Sequence, residues 1–247
     1  LQLYFLSVQV KPNQDSALSK KQQVAQMFDD ISGRYDFLNR LLSLGIDRGW
    51  RTKVRKALSA AHHSRILDVA TGTADLAIEL SKIKDANITG IDISAGMLKK
   101  GDEKIARAGL NSQIRLQLAD SENLPFEDAH FDAVTVAFGV RNFENLQSGI
   151  REMLRVTRPG GHLYILEFSK PKNRLFSGLY WFYFKKVLPG VGKLISSSVN
   201  AYSYLPRSVE AFPEGAEFAS IVQDCGAKSV IIKPLTFGVS SLYICEK

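Results

Sequence analysis

Apolar residues near the start of the chain recur at helical spacing. Val24, Met27, Phe28 and Ile31 fall at i, i+3, i+4 and i+7, which predicts an amphipathic helix over residues 20–31. Gly33 interrupts it. A second helical run, Phe37, Leu38, Leu41 and Leu42, reaches Gly45, and a third surrounds Trp50, Val54 and Leu58. From Arg65 onward the pattern changes: short apolar runs at 66–70, 88–92, 114–119, 131–138 and 161–168 alternate with helical patterns at 74–82, 95–108 and 144–156. Such alternation predicts βαβ units and a parallel sheet. A further helix near 216–224 leads to strands at 229–235 and 239–245. Only Thr236, Phe237 and Gly238 join those two, too few for the crossover a parallel pair needs, so they must be antiparallel.

The expected architecture is therefore α/β and Rossmann-like: a seven-stranded, mostly parallel sheet with an antiparallel terminal hairpin. Residues 20–62 supply a helical lid, 63–170 the core, 171–212 an aromatic helical insertion, and 213–247 the last helix and hairpin of one domain. Residues 1–19 read as an irregular leader. Leu1 to Val10 is apolar but has neither the basic n-region nor the cleavage site of a signal peptide.

Three acidic residues fall at or near predicted strand ends: Asp68, Asp92 after 24 residues, and Asp120 after 28 more. On a parallel sheet they would line the carboxyl edge, where open α/β sheets bind ligands. Between the first strand and its helix lies Ala70-Thr71-Gly72-Thr73-Ala74, with one glycine where a dinucleotide fold has G-x-G-x-x-G. Pyrophosphate recognition is thus weakly supported. Asp68 and Asp75 bracket the loop with negative charge, which repels phosphate and suits a cofactor carrying a sulfonium and an ammonium, namely S-adenosylmethionine. On this reading Asp92 accepts both ribose hydroxyls, Ile93 and Met97 pack on adenine, Asp120 with Ser121 receives the adenine amino group, and the loop amides near Gly72 and Thr73 take the methionine carboxylate. Each acid also has an ordinary reading as a helix cap or turn residue. Finding three at matching strand ends favours the binding site.

The composition, 45% hydrophobic and 23% charged over 247 residues, is ordinary globular material, and a net charge of +7 favours acidic partners without choosing among them. Cys225 and Cys245 match no metal spacing. His62, His63, His130 and His162 are scattered, so no metal is expected. An RNA methyltransferase would explain the charge, but the chain has neither a Pro-Cys nucleophile motif nor an Asn-Pro-Pro-Tyr block, and no nucleic-acid partner is expected. An NAD-dependent oxidoreductase and a non-catalytic adenosine-binding module are the remaining alternatives.

Several blocks together resemble the ubiquinone/menaquinone biosynthesis C-methyltransferases, a family of class I S-adenosylmethionine methyltransferases. They are Met27-Phe28-Asp29 with Tyr35-Asp36-Phe37-Leu38-Asn39, Leu44-Gly45-Ile46-Asp47 before Trp50, and Ala119-Asp120-Ser121-Glu122-Asn123-Leu124-Pro125-Phe126. Phe138-Gly139-Val140-Arg141-Asn142, Arg158-Pro159-Gly160-Gly161, Leu166-Glu167-Phe168-Ser169-Lys170-Pro171 and Leu235-Thr236-Phe237-Gly238 complete the set. The resemblance covers residues 22–247 and is greatest to bacterial menaquinone-directed members. It implies cofactor contacts at Thr73, Asp92, Asp120 and Ser121, and methylation of a ring carbon of a prenylated naphthoquinol, demethylmenaquinol; a ubiquinone-pathway benzoquinol is the alternative acceptor. Ala137 stands where many members have serine, and Ala74 where glycine is common. Arg141 and Asn142 are expected on the substrate side, the first to stabilise a phenolate and the second to orient a hydroxyl or water. Tyr35 and Asp36 are expected to close over the cofactor or handle a proton.

The run Leu175-Phe176-Ser177-Gly178-Leu179-Tyr180-Trp181-Phe182-Tyr183-Phe184 is too short to span a bilayer and is flanked by Lys170, Lys172, Arg174, Lys185 and Lys186. It suits a membrane interface or a wall for the prenyl tail. A buried insertion helix or a homodimer contact explains it equally. The expected location is the cytoplasm, with peripheral contact at the inner face of the cell membrane.

Overall fold

A computed structural model describes residues 10–43, 45–61, 63–171, 178, 181 and 199–247. Three helices come first, α1 (Lys20–Ile31), α2 (Tyr35–Ser43) and α3 (Ile46–Ser59), followed by β1 (Arg65–Val69), α4 (Asp75–Leu80), β2 (Asn87–Asp92), α5 (Ala95–Arg107) and β3 (Ile114–Leu118). β4 (Phe131–Ala137) runs into a 3-10 turn at Val140–Asn142, then α6 (Leu146–Val156) and β5 (Thr157–Phe168). The described chain closes with α7 (Val199–Ala211), α8 (Ala216–Asp224), β6 (Ser229–Leu235) and β7 (Ser240–Glu246).

The strands form one sheet in the order β3-β2-β1-β4-β5-β7-β6, with only β7 antiparallel to its neighbours. Helices cover both faces, so the central strands read as continuous apolar runs rather than alternating ones. β1 is buried from Ile66 to Val69, and β4 from Phe131 to Val136. The order reverses between β1 and β4, which opens the ligand crevice at their carboxyl ends. The far edge is less buried. β6 leaves Ile231 and Lys233 exposed and carries Pro234, a residue that sheets tolerate on an edge.

Several expected boundaries shift for physical reasons. The helix expected at 74–82 is Asp75–Leu80, and its start is set by Ala74, which adopts a left-handed backbone (φ 63°) just before it. The helix expected from 144 begins at Leu146, where the Asn145 side chain accepts the Ser148 N–H at 3.0 Å. β5 starts before the Arg158–Gly161 turn rather than after it: Thr157 pairs with Phe131 and His162 with Ala133, so the turn bulges out of a continuing strand. Residues 10–19 form no regular element but are held in place. Pro12 O accepts Arg207 Nη2 at 3.2 Å, and Gln23 Oε1 accepts Asn13 N at 2.8 Å. Most of the 1–10 leader and of the aromatic insertion lies outside the described residues. No helix among them is long and apolar enough to cross a membrane.

One carboxylate ties three of these pieces together. Asp132 on β4 accepts the N–H groups of Ser64 (3.1 Å) and Arg65 (2.8 Å) at the start of β1, and Arg158 Nε (2.8 Å) in the bulge. Burial pushes its carboxyl up, but the Arg65, Ser64 and Arg158 donors outweigh that and bring it down to about 2. A depressed folded pKa means that the stabilisation is fully present above the unfolded value near 4 and is lost as pH falls through about 2. Asp132→Ala should therefore cost about 2–3 kcal/mol at pH 7, by the unsatisfied donors it leaves, and the gap to wild type in urea unfolding should shrink toward pH 2.

Candidate active site

The loop after β1 is backbone-strained. Ala70 (φ 51°), Gly72 (φ 57°) and Ala74 (φ 63°) are all left-handed, a conformation that non-glycine residues rarely adopt and that clusters at functional sites. Beneath it Asp68, 1% exposed, accepts the hydroxyls of Thr71 and Thr135, each at 2.6 Å. Burial raises its carboxyl to about 6 against the lowering effect of those hydroxyls. Asp92, at the end of β2, joins two loops: one oxygen accepts Gly72 N at 2.8 Å and the other Ser94 N at 2.9 Å. Its carboxyl is pushed up by burial, with these N–H groups opposing. The loop lies so close to β2 that a Cβ on Gly90 would come within 2.6 Å of Leu116 and 3.0 Å of the Thr71 hydroxyl.

The lid helices are fastened over this edge by charge. Asp29 on α1 accepts Ser94 Oγ (2.6 Å) and Gly96 N (2.8 Å), while Lys21 pairs with Asp120 and, at 3.4 Å, Glu122. Buried Lys20 donates to the carbonyls of Arg141 (2.9 Å) and Phe143 (2.8 Å). Burial and the nearby Arg141 lower its ammonium to about 8. From α2, Asp36 accepts the Thr73 hydroxyl and Lys104 Nζ (2.8 Å). Lys104 also pairs with Asp75, which Arg51 approaches at 3.4 Å.

Under the lid lies a cleft of about 680 Å³. Gly72, Asp92, Ile93, Met97, Asp120, Ser121 and Asn142 line it, together with Tyr35, Phe28 and Val24 from the lid and Phe138 and Phe143 from the β4 side. A second space of about 380 Å³ is bounded by Asp68, Thr73, Asp75 and Arg51. Tyr35, Gly72 and Phe138 border both. Burial raises the Tyr35 phenol, with an Asn39 hydrogen bond opposing, so it stays protonated.

Four of the residues singled out in the sequence have partners in the structure. The Gly72 N–H donates to Asp92 at 2.8 Å. Asp75 is neutralised by Lys104 and Arg51 rather than presenting its charge. Asp36 is held by Thr73 and Lys104 and borders neither space. Arg141 does not line the cleft wall either. Its Nη1 donates to Phe138 O and, at 2.9 Å, to Glu167, which is 0% exposed, and its guanidinium lies 5.4 Å from the centre of the Phe168 ring. The left-handed backbone at Phe138 (φ 58°) turns the chain so that Arg141 and Asn142 return over the end of β5. Sequence reasoning missed Glu167, Lys20, Lys21 and Arg51 as site partners. Glu167 carried a usable signal as the acid interrupting an otherwise apolar strand end.

A carboxyl-edge cleft at the sheet reversal, with the Asp92 and Asp120 carboxylates set among apolar walls, fits an adenosine cofactor held through its ribose and base. This fold and site define a class I S-adenosylmethionine-dependent methyltransferase. The fold matches an S-adenosylmethionine-dependent methyltransferase from Aquifex aeolicus (TM-score 0.55, 19% identity, 74% of this chain and 82% of that one). It also matches an O-methyltransferase family protein from Burkholderia thailandensis (TM-score 0.66, 16% identity, 91% and 62%). More narrowly, residues 16–247 match the ubiE/COQ5 methyltransferase family, and the chain belongs to it. A ubiquinone/menaquinone biosynthesis C-methyltransferase of Geotalea daltonii is 46% identical over 92% of this chain and 97% of its own length. A demethylmenaquinone methyltransferase of Bacteroides fragilis is 44% identical over 96% and 97%.

Because Glu167 is fully buried, removing its cation leaves an uncompensated charge. Arg141→Ala should destabilise the fold by about 3 kcal/mol, and adding Glu167→Gln should recover most of that loss. Thermal unfolding of the single and double variants measures both.

Proposed function

We propose that this chain methylates a ring carbon of demethylmenaquinol to give menaquinol. The observation that carries the reading is that one cleft is lined both by the acids suited to an adenosine cofactor, Asp92 and Asp120, and by Asn142 of the turn after β4. Family membership and the names of the relatives support the substrate class.

S-adenosylmethionine, when bound, supplies an electrophilic methyl group on a sulfonium sulfur. Asp92 keeps acceptor capacity beyond its two backbone bonds, since a carboxylate has about four lone-pair sites, and these suit the ribose hydroxyls. Ile93 and Met97 offer apolar surface to adenine, and Asp120 with Ser121 its polar edge. Asp68 and Thr73 set the polarity of the second space, which Arg51 also borders while paired with Asp47 and, at 3.4 Å, with Asp75. Tyr35, where the two spaces meet, keeps water from the transfer zone.

A hydroquinone ring is nucleophilic at carbon because its oxygens donate into the ring, and more so once a hydroxyl ionises. The protein must align that carbon with the methyl donor, and such positioning supplies a large share of rate enhancement. Asn142 orients a ring hydroxyl, and the Arg141 guanidinium provides positive field behind it. Arg141 is a poor base at the usual arginine pKa, so the ring proton leaves to water.

The prenylated substrate resides in membrane, and we place the enzyme in the cytoplasm, resting on the inner membrane face through the basic, aromatic region 171–212. A homodimer is compatible with this placement.

Methyl transfer assayed with reduced demethylmenaquinone and a demethylated benzoquinol side by side should show turnover with the naphthoquinol. Asp92→Asn should weaken S-adenosylmethionine binding about tenfold or more, by loss of charge-assisted bonds. Calorimetry that shows a preference for NADH would sink the reading. Separately, the protein should sediment with anionic liposomes at low salt and be released at high salt; indifference to both removes the membrane placement.

A further inference from the structure

Three polar side chains of α1 fasten it over the cleft, and they differ in what they hold. Buried Lys20 donates to the carbonyls of Arg141 (2.9 Å) and Phe143 (2.8 Å). Asp29 accepts uncharged donors, the Ser94 hydroxyl at 2.6 Å and the Gly96 N–H at 2.8 Å. Lys21 instead pairs with two charges: its Nζ lies 2.5 Å from Asp120 Oδ2 and 3.4 Å from Glu122 Oε2. The Lys21 and Asp120 side chains are 29% and 32% exposed, so water and salt reach this pair. Lys20 and Ser94, by contrast, are buried. Ion pairs between partly exposed side chains weaken as salt is added, and buried contacts weaken much less.

Lys21 and both of its acids line the main cleft. The pair thus joins the lid wall to the sheet wall at the very acid assigned above to the adenine amino group. Asp120 already uses one site on each oxygen: Oδ1 accepts Glu122 N at 2.9 Å, and Oδ2 accepts Lys21 Nζ. A carboxylate has about four lone-pair sites, so room remains for a further donor, and an amino group bound there shares its acceptor with Lys21. The acids are fixed from the sheet side. Glu122 Oε1 accepts Glu144 N at 2.7 Å, and Leu124 N, two residues on, donates to Glu152 of α6 at 2.8 Å. The flexible half of the latch is the lysine stem. Burial lowers the Lys21 ammonium, but its hydrogen bond to Asp120 and the nearby Glu122 outweigh that and raise it. It is therefore charged at neutral pH, where the pair answers to salt and not to pH.

We propose that Lys21 is a positioning residue: it holds the Asp120 carboxylate in place for adenine and latches α1 over it, and the opening of this ion pair sets the rate at which the demethylated cofactor leaves. This rests on the assignment of Asp120 to adenine made above and is independent of which acceptor is methylated. Lys21 acts on retention and exchange of the cofactor, and the transfer step itself does not pass through it.

The test follows dissociation of S-adenosylhomocysteine, the nucleoside left after methyl transfer, from the full chain by stopped-flow displacement between about 0.05 and 0.5 M sodium chloride. Wild type should release it several-fold faster at the high end. Lys21→Met keeps the stem and removes the charge; at low salt it should release the nucleoside about threefold to tenfold faster than wild type and respond less steeply to salt. Lys21→Arg should restore slow, salt-sensitive release, a rescue and a salt response that a merely structural role would not produce. Lys100→Met, which removes an exposed α5 pair with Glu103 (3.0 Å) outside the cleft, should behave as wild type. Equilibrium binding to Asp120→Asn separates the latch from the assignment beneath it. If Asp120→Asn binds more weakly but Lys21→Met releases as wild type does at every salt concentration, the latch is wrong and the assignment stands. If Asp120→Asn binds as tightly as wild type, the assignment fails, and the latch with it.

Discussion

The Asp92 carboxylate, buried at the end of β2, is the interaction on which the site's geometry depends. An isolated buried charge is expensive, and the structure offsets it with backbone N–H groups from two loops, Gly72 on one side and Ser94 on the other. Both loops are thereby referenced to the same two oxygens. The turn after β1 can then hold left-handed backbone at Ala70 and Ala74, because neighbouring contacts determine a conformation that the residues alone would avoid. Ser94 is fixed as well: its hydroxyl caps α5 through Met97 N at 3.1 Å and donates to Asp29 of the lid. Sheet, cofactor loop, helix and lid are thus linked through one acid and the residues it holds.

The lid is attached in a different way. α3 buries Trp50, Val54 and Leu58 in the core, but α1 and α2 are held to the cofactor edge by ionic contacts, mostly at partly exposed side chains, such as Lys21 with Asp120 and Lys104 with Asp36. Pairs of that kind contribute modestly, about 1 kcal/mol or less each where solvent reaches them. They set the position of α1 and α2 without making those helices part of the core. Lys20 is the exception, since it is buried and holds the carbonyls of the very turn that carries Arg141 and Asn142. α1 is therefore tied to both sides of the cleft, through Lys20 on the substrate side and through Asp29 and Lys21 on the cofactor side.

Much of this was legible in the sequence because the relevant signals are local. The switch from helical spacing to βαβ alternation, the three-residue link before β7 and the acids at strand ends each follow from a few adjacent residues. Partnerships were not legible. Nothing local says that Asp75 faces Lys104, that Asp36 holds Thr73, or that Arg141 turns inward to Glu167, because those pairs are brought together only by the sheet order and the lid. The bulge at Arg158–Gly161 shows the same limit. Its Pro-Gly-Gly signature announces a turn, but only the pairing of Thr157 with Phe131 shows that the strand had already begun.

The proline in β6 bears on how copies of this chain can meet. A strand at the rim of a sheet presents a row of unpaired backbone groups that a second molecule can join. Pro234 has no N–H to offer, and the exposed Lys233 beside it adds charge to that row. β7 can use β6 as a neighbour, but a foreign strand finds an interrupted ladder there. Self-association through this rim is disfavoured.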